Sequence, residues 1–350
     1  MHSPISCNHN KYDFVSKSTL IGESVCCPNT GILVNNTDMK IFYTDTFPIP
    51  LPENHSFPKD KYYLLRKHVS ERLCDKPIDL QIPEISSVES ILRAHDDEYV
   101  HRLFEGELTD KEIRRVGLPW SPQIVKRTLY SVGATIAACR AAISDGVAVN
   151  LGGGTHHAFR DHGQGFCWLN DSVIAARAVQ AEGLAKNIMI VDCDVHQGDG
   201  TAAIARDDPT IFTFSIHGKN NFPYHKETSD LDIEMKNGTD DRTYLDALEK
   251  GLSKSTQGFN ADLVIYLAGA DPYRKDRYGR LSLTKAGLAQ RDGLVLRHLK
   301  ENRLPAAVTM AGGYAPDIQD IVDIHFQTIE IAVECYDENR TQTDGRKRKG

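Results

Sequence analysis

Four times between residues 146 and 316, a short and almost unbroken apolar run stops abruptly at glycine and polar residues. "GVAVNL" gives way to "GGGTHHAF", "NIMIVDCDV" to "HQGDGT", "ADLVIYLAG" to "ADPYR", and "PAAVTM" to "AGGYAP". Runs this apolar, without the alternation of a half-exposed strand, suit strands buried on both faces. Helical patterns at 171–183, 240–256 and 284–301 lie between them. Alternating buried strands and helices predict an α/β fold: a doubly wound, mostly parallel sheet with helices on both faces. In such sheets a ligand sits beyond the carboxyl ends of the strands. All four polar clusters fall there, so the pattern carries His156, His157, Asp192, Asp194, His196, Asp199, Asp271 and Tyr314 towards one rim.

The rest of the chain fits around that unit. "MKIFYTD", opening at Met39, has the pattern of a first strand. Residues 57–75 read as a helix, and "SVESILRAHDDEYVHRLFEG" as two short ones with acids near their starts. "SPQIVKRTLYSVGATIAACRAAISDG" reads as a long helix, with Ser121 as its cap, Pro122 in its first turn and Gly146 after its end. Residues 1–38 show no sustained period and read as a disordered extension, or as sequence upstream of a natural start at Met39. Residues 39–336 form the expected catalytic domain. Residues 337–350 end in "GRKRKG" and read as a polar, basic, solvated tail.

Composition narrows the function classes. The net charge of −7 argues against a general nucleic-acid surface. Eight scattered cysteines, without a C-x-x-C pair, suit reduced thiols better than a disulfide framework. No stretch approaches the ~20 apolar residues of a membrane span, and the first residues lack a secretory signal pattern. Cytoplasmic placement is expected, or nuclear in a eukaryote. Oligomeric state is not readable.

The stretch "IVDCDVHQGDG" sets the chemistry. Carboxylates after an apolar run are costly unless something neutralises them. If the strand stays extended, residues 192, 194 and 196 share a face, so Asp194 and His196 grip one cation. Asp271, after a neighbouring apolar run, offers a third ligand. One histidine and two aspartates, with room for water, make a catalytic rather than structural zinc site. Its oxygen-rich donors also admit iron(II), cobalt or manganese. His156 and His157, in a glycine-rich loop, offer a base for an attacking water, with Asp192 and Asp199 to orient them. Tyr314, after two glycines, offers a hydrogen bond to a developing oxyanion. Phe166 and Phe222 are candidate walls of a narrow slot, with Trp168 in the core.

The motifs "GGGTHHAF", "GFCWLND", "VDCDVHQGDGT", "FSIH", "AGADP" and "AGGYAP", in this order, resemble the zinc-dependent histone deacetylase superfamily over about residues 39–335. "DVHQGDGT" with "KDRYGRLSLT" resembles its class IV and related bacterial branch. The resemblance implies a single arginase-like α/β domain. It places the zinc ligands at Asp194, His196 and Asp271, and the tandem catalytic histidines at His156 and His157, with His157 as general base. Asp192 and Asp199 become their partners, and Tyr314 the oxyanion tyrosine. Gly165, Phe166, Phe222 and Gly313 fall on the substrate channel. It further implies a potassium ion held by Asp192, Asp194, His196, Ser215 and Ile216.

The implied reaction is hydrolysis of an acylated amine, most simply N-ε-acetyl-lysine on a protein or peptide. Long-chain acyl groups and acylated polyamines are alternative substrates. A binuclear ureohydrolase and a non-catalytic acyl-lysine reader are alternatives of other classes.

Overall fold

The four apolar runs become neighbours at the centre of one sheet. The computed structural model describes residues 38–347, with side chains described through Cys335. Its strands are β1 (Met39–Phe42), β2 (Ile78–Gln81), β3 (Val147–Asn150), β4 (Ile188–Asp192), β5 (Ile211–Gly218), β6 (Leu231–Met235), β7 (Leu263–Leu267) and β8 (Ala306–Thr309). They lie in the order β2-β1-β3-β8-β7-β4-β5-β6. Every pair is parallel, so the sheet is wholly parallel rather than mostly so. The chain leaves β3, skips two places to β4, runs outward to β6, and returns to fill the gap with β7 and β8. Register is set across the centre by Ile190 opposite Ile265 and Tyr266 opposite Val308.

The unbroken apolar runs now have their reason. Successive side chains of a strand point to opposite faces, and here both faces are core. In β7, Leu263, Ile265 and Leu267 enter one cluster, and Val264 and Tyr266 the other. The first cluster is closed by α5 (Pro122–Asp145) and α6 (Asp171–Ala181). The second is closed by α1 (Lys61–Arg72), α8 (Asp241–Gly258), α9 (Lys285–Glu301) and α10 (Ile318–Lys347). The helix expected over 57–75 is thus shorter. The long helix is as expected: Ser121 Oγ accepts from Ile124 N at 3.2 Å, and Gly146 ends it at φ 96°.

The remaining helices are α2 (Val88–Leu92), α3 (Asp97–Glu105), α4 (Asp110–Val116) and α7 (Asp199–Ala205). The backbone of α10 runs on past residue 336, where the catalytic unit was expected to end. The expected 1–38 extension, Asp38 apart, lies outside the described residues. Among the described residues, no helix is long and apolar enough to cross a membrane.

Candidate metal centre and active site

The strand carrying the opening stretch does not stay extended. β4 ends at Asp192, and the next residues turn. Asp192 Oδ1 accepts from Asp194 N at 3.0 Å, and Asp194 Oδ1 accepts from His196 N at 3.0 Å. Short carboxylates bonding two residues on compete with the strand ladder and win once the sheet ends. Residues 192, 194 and 196 therefore do not share a strand face as expected, yet the turn brings the same residues together. Asp194, His196 and Asp271 are buried, and each offers a ligand atom within 4.8 Å of the others. Asp271 Oδ1 accepts from Val195 N at 2.9 Å, and Asp194 Oδ2 from Gly312 N at 2.8 Å. A Cβ at Gly312 would run into both carboxylates.

The cluster fits a cation. Asp271 Oδ2 lies 3.2 Å from His196 Nδ1 but is buried without a hydrogen bond. Burial and the Asp194 charge push the Asp271 carboxyl up to about 7. Burial opposes charge on His196, yet its hydrogen bond to Asp194 and the carboxylate of Asp271 close by raise it to about 10. Two buried carboxylates and an imidazole, with one oxygen left unpaired, form a donor set for a divalent ion.

The tandem histidines sit beside this cluster, their ring centroids 4.1 Å apart. His156 Nδ1 lies 2.6 Å from Asp192 Oδ2, and His157 Nδ1 lies 2.7 Å from Asp199 Oδ1. Burial opposes charge on both rings. At His156 the carboxylates of Asp192 and Asp194 outweigh it and raise the ring to about 9. At His157 burial and the neighbouring His156 cation prevail over Asp199 and lower it to about 4. The two rings are thus shifted in opposite directions. Their loop is held by Asp171, a residue the sequence did not single out. Its carboxylate accepts from Gly154 N at 3.0 Å, Thr155 N at 2.7 Å and Thr155 Oγ1 at 2.7 Å.

Two aromatic walls flank the histidines. Phe222 meets the His157 ring edge-on, with centroids 5.0 Å apart. Phe166 lies 5.6 Å from the Tyr314 ring, and Trp168 is buried in the core. Gly165 has φ 55°, and a Cβ there would strike the His157 ring. Gly313, with φ 151°, precedes Tyr314. Burial, with Asp194 and Asp271 nearby, holds the Tyr314 phenol well above its ordinary range. Asp192 and Ser215 are register partners on β4 and β5, which puts two of the expected potassium ligands side by side, with Ile216 next in the strand. Ser215 Oγ pairs with His217 Nδ1 at 2.9 Å.

Two further residues were missed. Lys61 is buried beneath the site. Its Nζ donates to Ala311 O at 3.3 Å and sits 5.6 Å from the Tyr314 ring centre. Asp276 accepts from Tyr314 N at 2.6 Å, and also from Tyr278 N and Gly279 N. Asp276 has two local partners, but the contacts that tie both residues to the site come from distant segments: Tyr314 N for Asp276, and Ala311 O with the Tyr314 ring for Lys61.

The family model of the histone deacetylase domain matches residues 55–329. An uncharacterized protein of Picosynechococcus sp. is 44% identical over 296 residues, covering 85% of this chain and 99% of that protein. Histone deacetylase 2 of Arabidopsis thaliana is 27% identical over 289 residues, covering 79% of this chain and 74% of that one. The solved HDA15 HD domain superposes with a TM-score of 0.72 at 19% identity, over 84% of this chain and 91% of that one, which is a likeness of fold. The match to the domain model takes in every strand from β2 onward and all the site residues named above, so the chain belongs to the histone deacetylase family.

Proposed function

We propose that the protein is a zinc-dependent deacylase of the family's class IV-like branch, hydrolysing N-ε-acetyl-lysine. One observation carries this reading. Each of two adjacent histidines is tied through Nδ1 to its own buried carboxylate, beside the Asp194–His196–Asp271 cluster. That leaves Nε2 as the ring atom available for proton transfer. The chemistry supplied by a zinc ion held by those three residues is Lewis acidity towards the acyl oxygen and the attacking water. His157, neutral at working pH, takes the water's proton and later delivers it to the departing amine nitrogen. His156, held by Asp192, supplies a second imidazole beside His157 for binding and orienting the water and the acyl group. Tyr314 keeps its proton and donates a hydrogen bond to that oxyanion. Gly165, Phe166 and Phe222 admit the extended alkyl stem. A potassium ion at Asp192 and Ser215, with nearby carbonyls, belongs to the same proposal.

The test is steady-state turnover of lysine peptides carrying acetyl, butyryl, octanoyl or myristoyl groups, with zinc-loaded enzyme in potassium buffer. Acetyl is expected to be preferred. Tyr314→Phe is expected to keep its metal and lose ~10²–10³ in kcat, the scale for an oxyanion donor. Unchanged kcat in that variant would remove Tyr314 from its role. A myristoyl preference would replace the short-chain reading with a fatty deacylase.

A further inference from the structure

The chain carries a net charge of −7, yet the loop beside the Tyr314 wall is rich in exposed cations. The loop after Asp271 runs "PYRKDRYGR", and Arg274, Lys275, Arg277 and Arg280 are all exposed. Among the described residues, none of these four side chains has a carboxylate partner. The loop is fixed at the rim. Tyr278 meets the Tyr314 ring edge-on at 5.2 Å. Asn221, next to the wall residue Phe222, donates through Nδ2 to Tyr278 O at 2.7 Å and accepts from Arg280 N at 3.3 Å. The loop therefore bridges the Tyr314 wall and the Phe222 wall through Tyr278 and the Arg280 backbone, with Arg277 just before the bridge.

The other walls repeat the sign. Lys226 donates to Asn221 O and Pro223 O, each at 2.6 Å, and so brackets Phe222. Across the pocket, Gly165 N and Phe166 N donate to the carbonyls of Arg115 and Val116 at the end of α4. Arg115 is exposed there without a carboxylate partner among the described residues. The acids close to the rim are fewer: Glu53 and Asp60 are exposed on the segment whose Phe57 packs against Phe166 and Tyr314, and three others have hydrogen-bond or ion-pair partners. Asp276 accepts three backbone N–H groups beneath the loop, Asp161 faces His162, and Asp96 faces Arg160. A mouth where exposed cations outnumber exposed acids concentrates ligands of the opposite sign. A lysine tail rich in further lysines would be repelled.

We propose that this basic rim selects acylated lysines flanked by carboxylates, so that the preferred substrate is an acidic peptide segment. The proposal rests on the deacylase reading above for the acyl-lysine itself. A peptide is favoured over a nucleic acid because the cations lie beside a narrow pocket, while the molecule as a whole is acidic.

The test is binding by fluorescence anisotropy, using zinc-loaded full-length protein. The probes are labelled acetyl-lysine peptides of one length flanked by Glu, Ser or Lys, and turnover of the same peptides is measured in parallel. The Glu-flanked peptide is expected to bind about tenfold tighter than the Ser-flanked one, and the Lys-flanked one weakest, with all three converging at high salt. Arg277→Glu combined with Arg280→Glu is expected to bring the Glu-to-Ser ratio to about one. Equal affinities, or a preference for the Lys-flanked peptide, would overturn the proposal. So would a short single-stranded oligonucleotide of matched charge that outcompetes the Glu-flanked peptide. The wild-type comparison stands whether or not the variant folds. Acidic preference in binding, with no hydrolysis of any peptide, would overturn the deacylase reading and support the rim's selectivity. Hydrolysis of the Glu- and Ser-flanked peptides at equal kcat/KM would do the reverse.

Discussion

Each carboxylate oxygen offers two lone pairs, and the aspartates of this site use theirs on backbone and ring together. Asp192 shapes the turn through Oδ1 and holds His156 through Oδ2. Asp199 accepts from His157 Nδ1, from Gly200 N at 3.0 Å, and from Gln164 Nε2. The Asp199–His157 bond places the ring proton on Nδ1 and leaves Nε2 as acceptor. Asp199→Asn offers a donor at that position and turns the tautomer over, so kcat is expected to fall by ~10²–10⁴. Zinc content, read by elemental analysis, is expected to stay unchanged, because Asp199 lies outside the ligand cluster. A kcat within twofold of wild type would remove Asp199 from its orienting role. The residues of this site were readable where a short spacing betrays them, as in Asp194-x-His196 and the His156-His157 pair. Asp171, Lys61 and Asp276 were not, because the partners that tie them to the site, the Gly154–Thr155 loop, Ala311 O and Tyr314 N, lie far off in sequence.

The same limit governs the helices and strands. The central strands could be read because both faces of each are apolar. β2, only four half-buried residues at the sheet edge, leaves no such run. α4 does have a signal, a capping box in which Thr109 and Glu112 exchange hydrogen bonds, and that T-x-x-E spacing was available in the sequence. α7 was hidden inside a polar cluster that reads as loop chemistry. Helix α5 carries a subtler constraint. Gly133 lies in its middle, where alanine would ordinarily stabilise by ~1 kcal/mol. A Cβ there would collide with the carbonyl of Glu84, in the segment after β2 that Ser86 N ties to Leu129 O at 3.2 Å. Gly133→Ala is therefore expected to destabilise by about 1–3 kcal/mol, as overpacking does. Urea midpoints at constant m-value check this, and a midpoint above wild type would mean that propensity outweighs the contact.

The molecule closes around its site late in the chain. β7 and β8 come last, yet they lie between β3 and β4, so Asp271 and the Gly312 amide reach Asp194 only when the two halves of the sheet join. A cation bridging Asp194, His196 and Asp271 would bind the joined state and not the unfolded chain. Its binding energy then becomes folding energy. At a free concentration of about 100 Kd the gain is ~2.7 kcal/mol, a rise of several degrees in Tm for a domain of this size. The fold predates the ion in this picture, because the core on both faces of the sheet is complete without it. Chelator-treated protein is therefore expected to unfold cooperatively but at a lower Tm than the zinc-loaded form, and Asp271→Asn to lose most of that difference. Equal Tm values with and without zinc would place the ion elsewhere. Loss of cooperative unfolding on chelation would mean instead that the metal, and not the double core, holds the two halves of the sheet together.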